Sequence, residues 1–353
     1  MKNSQAVHDI ILGVDTHLDV HVGVVISGTG EFLGNYSIPT TTEGYISLII
    51  WANTFGHLSQ AGVEGTGTYG AGLTKVLRDH EIDVFEVNRP YRARRRLKGK
   101  SDPTDAENAA RAVLSKQATA APKHQSGAAE AMRIVTVARR SAIKAKTQSI
   151  NQIRSLLVSA PQEVRERLWD SHPKVCVKRC RHVRSLGSTQ VLQSLATTLR
   201  LLAKRWQMLA DELRLLDDQL EKLTGHYTKG LRKQYGVGPY TAAVLTSVAG
   251  DNPERLRSEA SFAALCGVNP LEASSGKTTR HRLNRGGSRA ANNALWTITM
   301  VRMRSESRTQ AYVKRRTKEG LSSKEIQRCL KRYIARELYH FILDDLSRLE
   351  GIY

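Results

Sequence analysis

Residues 98–110 read KGKSDPTDAENAA, and how this stretch is taken decides what the chain before it forms. It puts two aspartates, Asp102 and Asp105, at the start of a predicted helix, directly behind a run of arginines. Taken locally, SDPTD is a helix start: Asp102 can cap, Pro103 suits the first helical position, and Asp105 meets the positive end of the helix dipole. Taken as half of a site, the two carboxylates stand three residues apart on one helix face. That second reading needs further acids brought to the same point from elsewhere.

The preceding chain supplies them. Residues 10–14 are apolar, a turn follows at 15–19, and 20–27 and 31–38 are further β-rich runs, a three-strand meander. Residues 42–55 have helical spacing, 61–64 form a short strand, 69–80 a helix and 82–87 another strand. With the helix of 102–115 last, the order β-β-β-α-β-α-β-α fits the ribonuclease H-like fold. Asp15 ends the first strand in GVDTHLD, and Glu64 ends the later one in GVEGTGTYG. Open α/β sheets place chemistry at strand ends, so these acids are expected to meet Asp102 and Asp105, whereas Asp19 reads as a turn residue. Four converging carboxylates repel one another unless cations sit among them. Such an oxygen-rich site suits Mg2+ or Mn2+, and two ions about 3.5–4 Å apart can activate water and stabilise a leaving oxygen in phosphodiester cleavage.

Charge points to the substrate. The 353 residues carry a formal +21. Residues 1–88 hold three lysines and arginines against ten acids, a net of −7, which leaves +28 for the rest. A segregated basic excess marks nucleic-acid binding. It is densest in RPYRARRRLKGK, where Arg89, Arg92, Arg94, Arg95, Arg96, Lys98 and Lys100 are expected to hold a phosphate backbone beside the acids; each neutralised phosphate steepens the salt dependence of duplex binding by about 0.9 log unit. No apolar run approaches the roughly 20 residues of a membrane span, and the first residues lack the apolar core of a signal peptide, so a cytoplasmic protein without membrane contact is expected. Four cysteines in so long a chain make no disulfide framework. Cys176 and Cys180 lie near His182, but the segment offers too few ligands for a structural zinc site.

The rest of the chain reads as mostly helical. Residues 118–127 are a linker, 128–159 a long basic helix, and from Leu192 to Leu223 apolar residues recur at alternating spacings of three and four, a heptad pattern. The alternatives for that pattern are an antiparallel hairpin within one subunit and a seam that also joins subunits; the second is favoured, because strand exchange needs more than one active site. YGVGPY, from Tyr235, has a Gly-x-Gly turn entering a helix, as helix-hairpin-helix modules do. LEASSGKTTRHRLNRGGSR then describes a basic, glycine-containing loop whose Lys277, Arg280, Arg282 and Arg285 are candidate nucleic-acid contacts and whose serine pair, Ser274 and Ser275, offers a nucleophile. The division expected is 1–117, an α/β domain; 118–228, a helical, coiled-coil spacer; and 229–353, a mostly helical domain with the serine loop.

GVDTHLD, GVEGTGTYG and KSDPTDAENAAR together resemble the Asp-Glu-Asp-Asp motifs of the DEDD insertion-sequence transposases of the insertion sequence 110 type, which have a RuvC-like catalytic domain and are related to Piv-type invertases. The resemblance implies that Asp15, Glu64, Asp102 and Asp105 are metal ligands. It places the catalytic serine on Ser275, with Ser274 as the alternative, while His281 and Asn284 depart from the residues usual after that serine. It further implies a DNA recombinase that cuts and rejoins element ends and target, a homo-oligomer (dimer or tetramer), and a structured non-coding guide RNA as partner. The nearest rival is a metal-dependent junction nuclease with water as nucleophile.

Overall fold

The computed structural model describes residues 8–87, 101–276 and 281–348. Strands β1 (Asp9–Thr16), β2 (Val20–Ser27) and β3 (Phe32–Pro39) form the meander, followed by α1 (Thr42–Asn53), β4 (His57–Glu64), α2 (Ala71–Asp79), β5 (Asp83–Val87) and α3 (Asp102–Leu114). The sheet order is β3-β2-β1-β4-β5, with β1 antiparallel to β2 and parallel to β4, the ribonuclease H-like arrangement expected. β1 alternates between two cores: Ile10, Leu12 and Val14 face a layer shared with α1 and α2, while Ile11 packs with Ala106, Ala110 and Val113 of α3. A central strand covered on both faces is apolar throughout, which is why 10–14 reads as a continuous apolar run.

The chain divides into two compact units, Met1–Gln125 and Ser126–Tyr353. Among the described residues the regular elements of the second are helices but for a short hairpin. Its long helices α4 (Ala128–Val158) and α7 (Gln190–Tyr227) run antiparallel, with the short helices α5 (Gln162–Leu168) and α6 (Pro173–Arg181) between them in sequence. Ile153 and Leu157 pack near Leu199, whereas Met132 and Val135 pack near Leu220; Arg139 pairs with Asp217 along the way. The buried heptad positions Leu199, Trp206, Leu213 and Leu220 thus pack within one chain, as the hairpin alternative has it. Cys176 and Cys180 lie in the same apolar core.

The remainder comprises α8 (Lys229–Arg232), α9 (Pro239–Ala249), α10 (Glu259–Leu265), the hairpin β6 (Pro270–Glu272) and β7 (His281–Leu283), α11 (Arg289–Ser305), α12 (Ser307–Lys318) and α13 (Ser323–Ser347). Its core joins α9, α11 and α13 through Leu245, Leu295, Ile298 and Leu338. Arg302 braces this core. Its buried guanidinium donates to both carboxylate oxygens of Glu337 (2.9 and 2.8 Å), and its Nε donates to the Tyr235 carbonyl (2.9 Å), tying down the turn at Gly236. Arg302→Met is expected to cost about 2–3 kcal/mol, since it strands charge-assisted acceptors, and a fall in the urea midpoint at unchanged m-value would register it.

Candidate active site

Two glycines seat helix α3 on the sheet. Gly13 and Gly62 each precede an acid by two residues, so glycine and acid share a strand face. A Cβ on Gly13 would collide with the Ala106 carbonyl and Ala110 amide; one on Gly62 would come within 2.7 Å of the Ala109 carbonyl. Only bare backbone lets the helix lie this close. The Gly-Val-acid triplet, present in both GVDTHLD and GVEGTGTYG, is the sequence signal of this contact.

The close seat brings the helix mouth to the end of β1. Asp15 is buried, Asp105 is buried, and Asp102 stands half exposed at the first residue of α3. His17, one residue beyond β1, bridges them: its Nε2 lies 3.3 Å from Asp15 Oδ2 and 3.5 Å from Asp102 Oδ1. Ligand atoms of Asp15, His17 and Asp102 lie within 4.8 Å of one another, the one such group of His, Cys, Asp and Glu among the described residues. Burial pushes the Asp15 carboxyl above its ordinary range, His17 pulls it back, and the fields of Asp105 and Asp102 push it up further. Glu64 ends the neighbouring strand, half-buried, with Thr16 Oγ1 donating to its backbone carbonyl (2.8 Å). His17 was missed by reading the sequence for acids alone; its place two residues after Asp15 in GVDTHLD was the available signal. Asp102 does not cap its helix: Ser101 takes the N-cap position, and Asp105 N–H donates to the Ser101 carbonyl (3.0 Å). The helix starts one residue earlier than the capping reading required, which leaves the Asp102 carboxylate free of that duty.

The donor set suits a hard divalent cation. Carboxylate oxygens favour Mg2+ or Mn2+, and an imidazole beside them is better accepted by Mn2+.

The serine loop belongs to the other unit. Ser274 and Ser275 are exposed between β6 and β7; Arg282, within β7, and Arg285, just after it, are exposed as well. Asn284, one of the departures from the family pattern, fixes the base of this hairpin: its Nδ2 donates to Ala264 O (3.1 Å) and Asn269 Oδ1 (2.8 Å), and its Oδ1 accepts from Gly286 N–H (2.8 Å). Asn292 Nδ2 donates to Gly267 O (2.9 Å) beside it. Arg89, Arg92, Arg94, Arg95, Arg96, Lys98, Lys100, Lys277 and Arg280 lie outside the described residues. No helix among the described residues is long and apolar enough to cross a membrane.

Comparison with known families gives two matches. Residues 12–160 match a family model described as a transposase of the DEDD type, and residues 229–314 match one described as the transposase IS116/IS110/IS902 family. No curated protein matches the chain.

Proposed function

The chain belongs to the IS110-type DEDD transposases, and from that premise we propose that it exchanges DNA strands with a metal site in its first unit and a serine nucleophile in its second. The observation that supports this most is the meeting of Asp15, Asp102 and His17, with Asp105 close enough to raise the Asp15 carboxyl. Asp15, Asp102, Asp105 and Glu64 would hold divalent metal, Mg2+ or Mn2+, which when bound supplies charge neutralisation at the scissile phosphate. His17 orients Asp15 and Asp102 toward one another. In this reading the parts of the chain are 1–117 for metal chemistry, 118–228 as helical spacer and 229–353 for the serine.

Ser275 Oγ attacks phosphorus, its proton passes to solvent or a base, and a deoxyribose oxygen leaves. The serine–phosphate ester then yields to a hydroxyl of the other strand, which restores the serine and joins the exchanged ends. A serine is a poor nucleophile until the developing charge is neutralised, which Arg282 and Arg285 near the loop can assist. The arginine-rich stretch 89–100 supplies backbone contacts, and the large basic surface serves DNA together with a structured guide RNA; pairing by such an RNA would relieve the protein of reading bases itself. Exchange of two strands calls for a homo-oligomer.

Ser275→Ala is expected to abolish both exchange and the covalent protein–DNA species seen on a denaturing gel, while duplex binding persists. Exchange surviving in Ser275→Ala but lost in Ser274→Ala would move the role by one residue. Survival in both would leave the water-using nuclease as the better reading. Purification with the flanking element sequence followed by sequencing of bound RNA tests the guide, and recovery of no discrete species removes it.

A further inference from the structure

Between the hairpin that carries Ser274 and Ser275 and helix α13 lies a cavity of about 760 Å3, within the range of about 300–1,000 Å3 usual for pockets that bury an organic ligand. Val268 and Pro270 line it at the start of the hairpin, Leu283 from β7, Leu321 from the link before α13, and Tyr333 from α13. Leu283 and Tyr333 are 51% and 53% exposed, and Tyr312 holds the Tyr333 ring edge-to-face at 5.8 Å. None of these side chains takes part in the chemistry argued above.

The charges around the cavity call for an anion. Among the described residues that line it, Arg282, Arg328, Lys331 and Arg332 are basic and Glu325 is the one acid. Glu325 is already committed to the start of α13, where it accepts from the Ser322 N–H (2.9 Å) and hydroxyl (2.6 Å). Lys331 Nζ donates to Asn292 Oδ1 (2.8 Å), whereas Arg332 Nη1 is buried without a hydrogen-bond partner. Burial holds Lys331 and Arg332 below their ordinary pKa values. A phosphate oxygen would satisfy the orphaned donor and offset the charge. Phosphate alone, however, makes no use of the apolar walls, and a nucleobase does.

We propose that the cavity takes one unstacked nucleotide of the DNA strand that runs past Ser275, its base against Leu283 and Tyr333 and its phosphate on Arg328 and Arg332. The hairpin selects a strand over a free nucleotide. His281 lines the cavity and pairs with Glu272 across the hairpin; Ser275 follows Glu272 by three residues, at most about 10 Å of chain. A strand whose phosphate meets Ser275 Oγ thus passes the cavity within a few nucleotides, at about 3.4 Å each. A base held there fixes the register of the strand over the nucleophile, and its removal from the stack costs least where pairing is already opened. That the occupant is DNA rests on the exchange reading; the cavity and its charges do not.

Cys329 is a native reporter for this site: it lines the cavity and is partly exposed, whereas Cys176, Cys180 and Cys266 are buried. In the full-length Ser275→Ala protein, which leaves the strand uncut, alkylation of Cys329 by N-ethylmaleimide is expected to slow about tenfold when an element-end duplex is bound, the effect of stacking one base. DNA lying across the mouth would also shield the thiol, so duplexes lacking the base at one position at a time are compared. One such position beside the cleavage point is expected to restore alkylation while a gel shift shows the duplex still bound. Arg328→Gln and Tyr333→Ala, both at exposed residues, are each expected to remove most of the protection and to leave the thermal melt nearly unchanged. Alkylation indifferent to the duplex, protection that persists at every abasic position, or protection that both variants retain would overturn the proposal. Protection by free deoxyadenosine monophosphate with none by the duplex would assign the cavity to a free nucleotide and overturn its DNA occupant. The covalent protein–DNA species is measured in parallel on the wild type, so a failure of the serine reading with protection intact is distinguishable from a failure of the cavity.

Discussion

Asp15→Asn is expected to lower metal-dependent strand cleavage by about 10²–10³-fold, the usual loss when one preorganised electrostatic group is removed, and to make the metal-free protein melt at a higher temperature at neutral pH. The two effects have one cause. Asp15 is buried at the end of β1 with Asp102 and Asp105 nearby, so its carboxyl is held above the ordinary range by burial first and by those two acids further, against the pull of His17. For an acid whose folded pKa exceeds its unfolded value, the folded state binds protons more tightly. Stability therefore falls as pH rises from the unfolded pKa to the folded one, and the loss is complete above both. Asn carries no charge and escapes that loss. The gain in melting temperature is thus expected at pH 7 and is expected to vanish near pH 3, where Asp15 is protonated in either state. Added Mn2+ should raise the melting temperature of the wild type at pH 7 and leave Asp15→Asn nearly unmoved. Scanning calorimetry at the two pH values, with and without Mn2+, reads all of this; a variant destabilised at pH 7 without metal would contradict the electrostatic account.

Gly13→Ala is expected to disable the same site without touching a charged group. The new methyl would drive into the backbone of α3 at Ala106 and Ala110. Backbone has no rotamer to give, so either the helix lifts or the strand bends, at the upper end of the roughly 1–3 kcal/mol typical of overpacking. Because Asp102 and Asp105 ride on the first turn of that helix, they move with it and away from Asp15. Mn2+ affinity should fall at least tenfold while the protein remains folded, and Gly28→Ala, where the added carbon comes no nearer than 3.4 Å to the Asp9 carbonyl, should change neither. Titration followed by the electron-spin resonance of free Mn2+ gives the comparison. Equal affinities in wild type and Gly13→Ala would show that the close seat of α3 is dispensable.

The α/β unit was legible because its signals are local. Strand runs, turn residues and helix spacing in the first 115 residues place all eight elements of the expected order, with shifts of a residue or so at most ends; β4 is the larger miss, beginning at His57 rather than at residue 61 because His57 and the polar Ser59 and Gln60 obscure its start. The acids at the ends of β1 and β4 follow from the same reading, since a strand's end is fixed once the strand is. His17 was not legible as a partner of two aspartates: a histidine after a strand is an ordinary turn residue until α3 is known to close over it. Asp251 and Asp345 are similar cases. Asp251 accepts from the Gly127 and Ala129 amides at the start of α4, and Asp345 from the Gly230 and Leu231 amides at the start of α8. Each caps a helix more than a hundred residues away, beyond the reach of any local capping pattern.

By itself, then, the sequence determined the strand and helix order of the first unit, the acids at its strand ends and the heptad helix of the second, because periodicity and turn chemistry act between neighbours along the chain. The tertiary structure alone decided what each face meets. Periodicity states that one side of α7 leaves water but not for which partner, since burial against α4 and burial against a second chain demand the same apolar residues. Packing of Ile153 and Leu157 near Leu199, and of Met132 and Val135 near Leu220, makes that choice for the buried line.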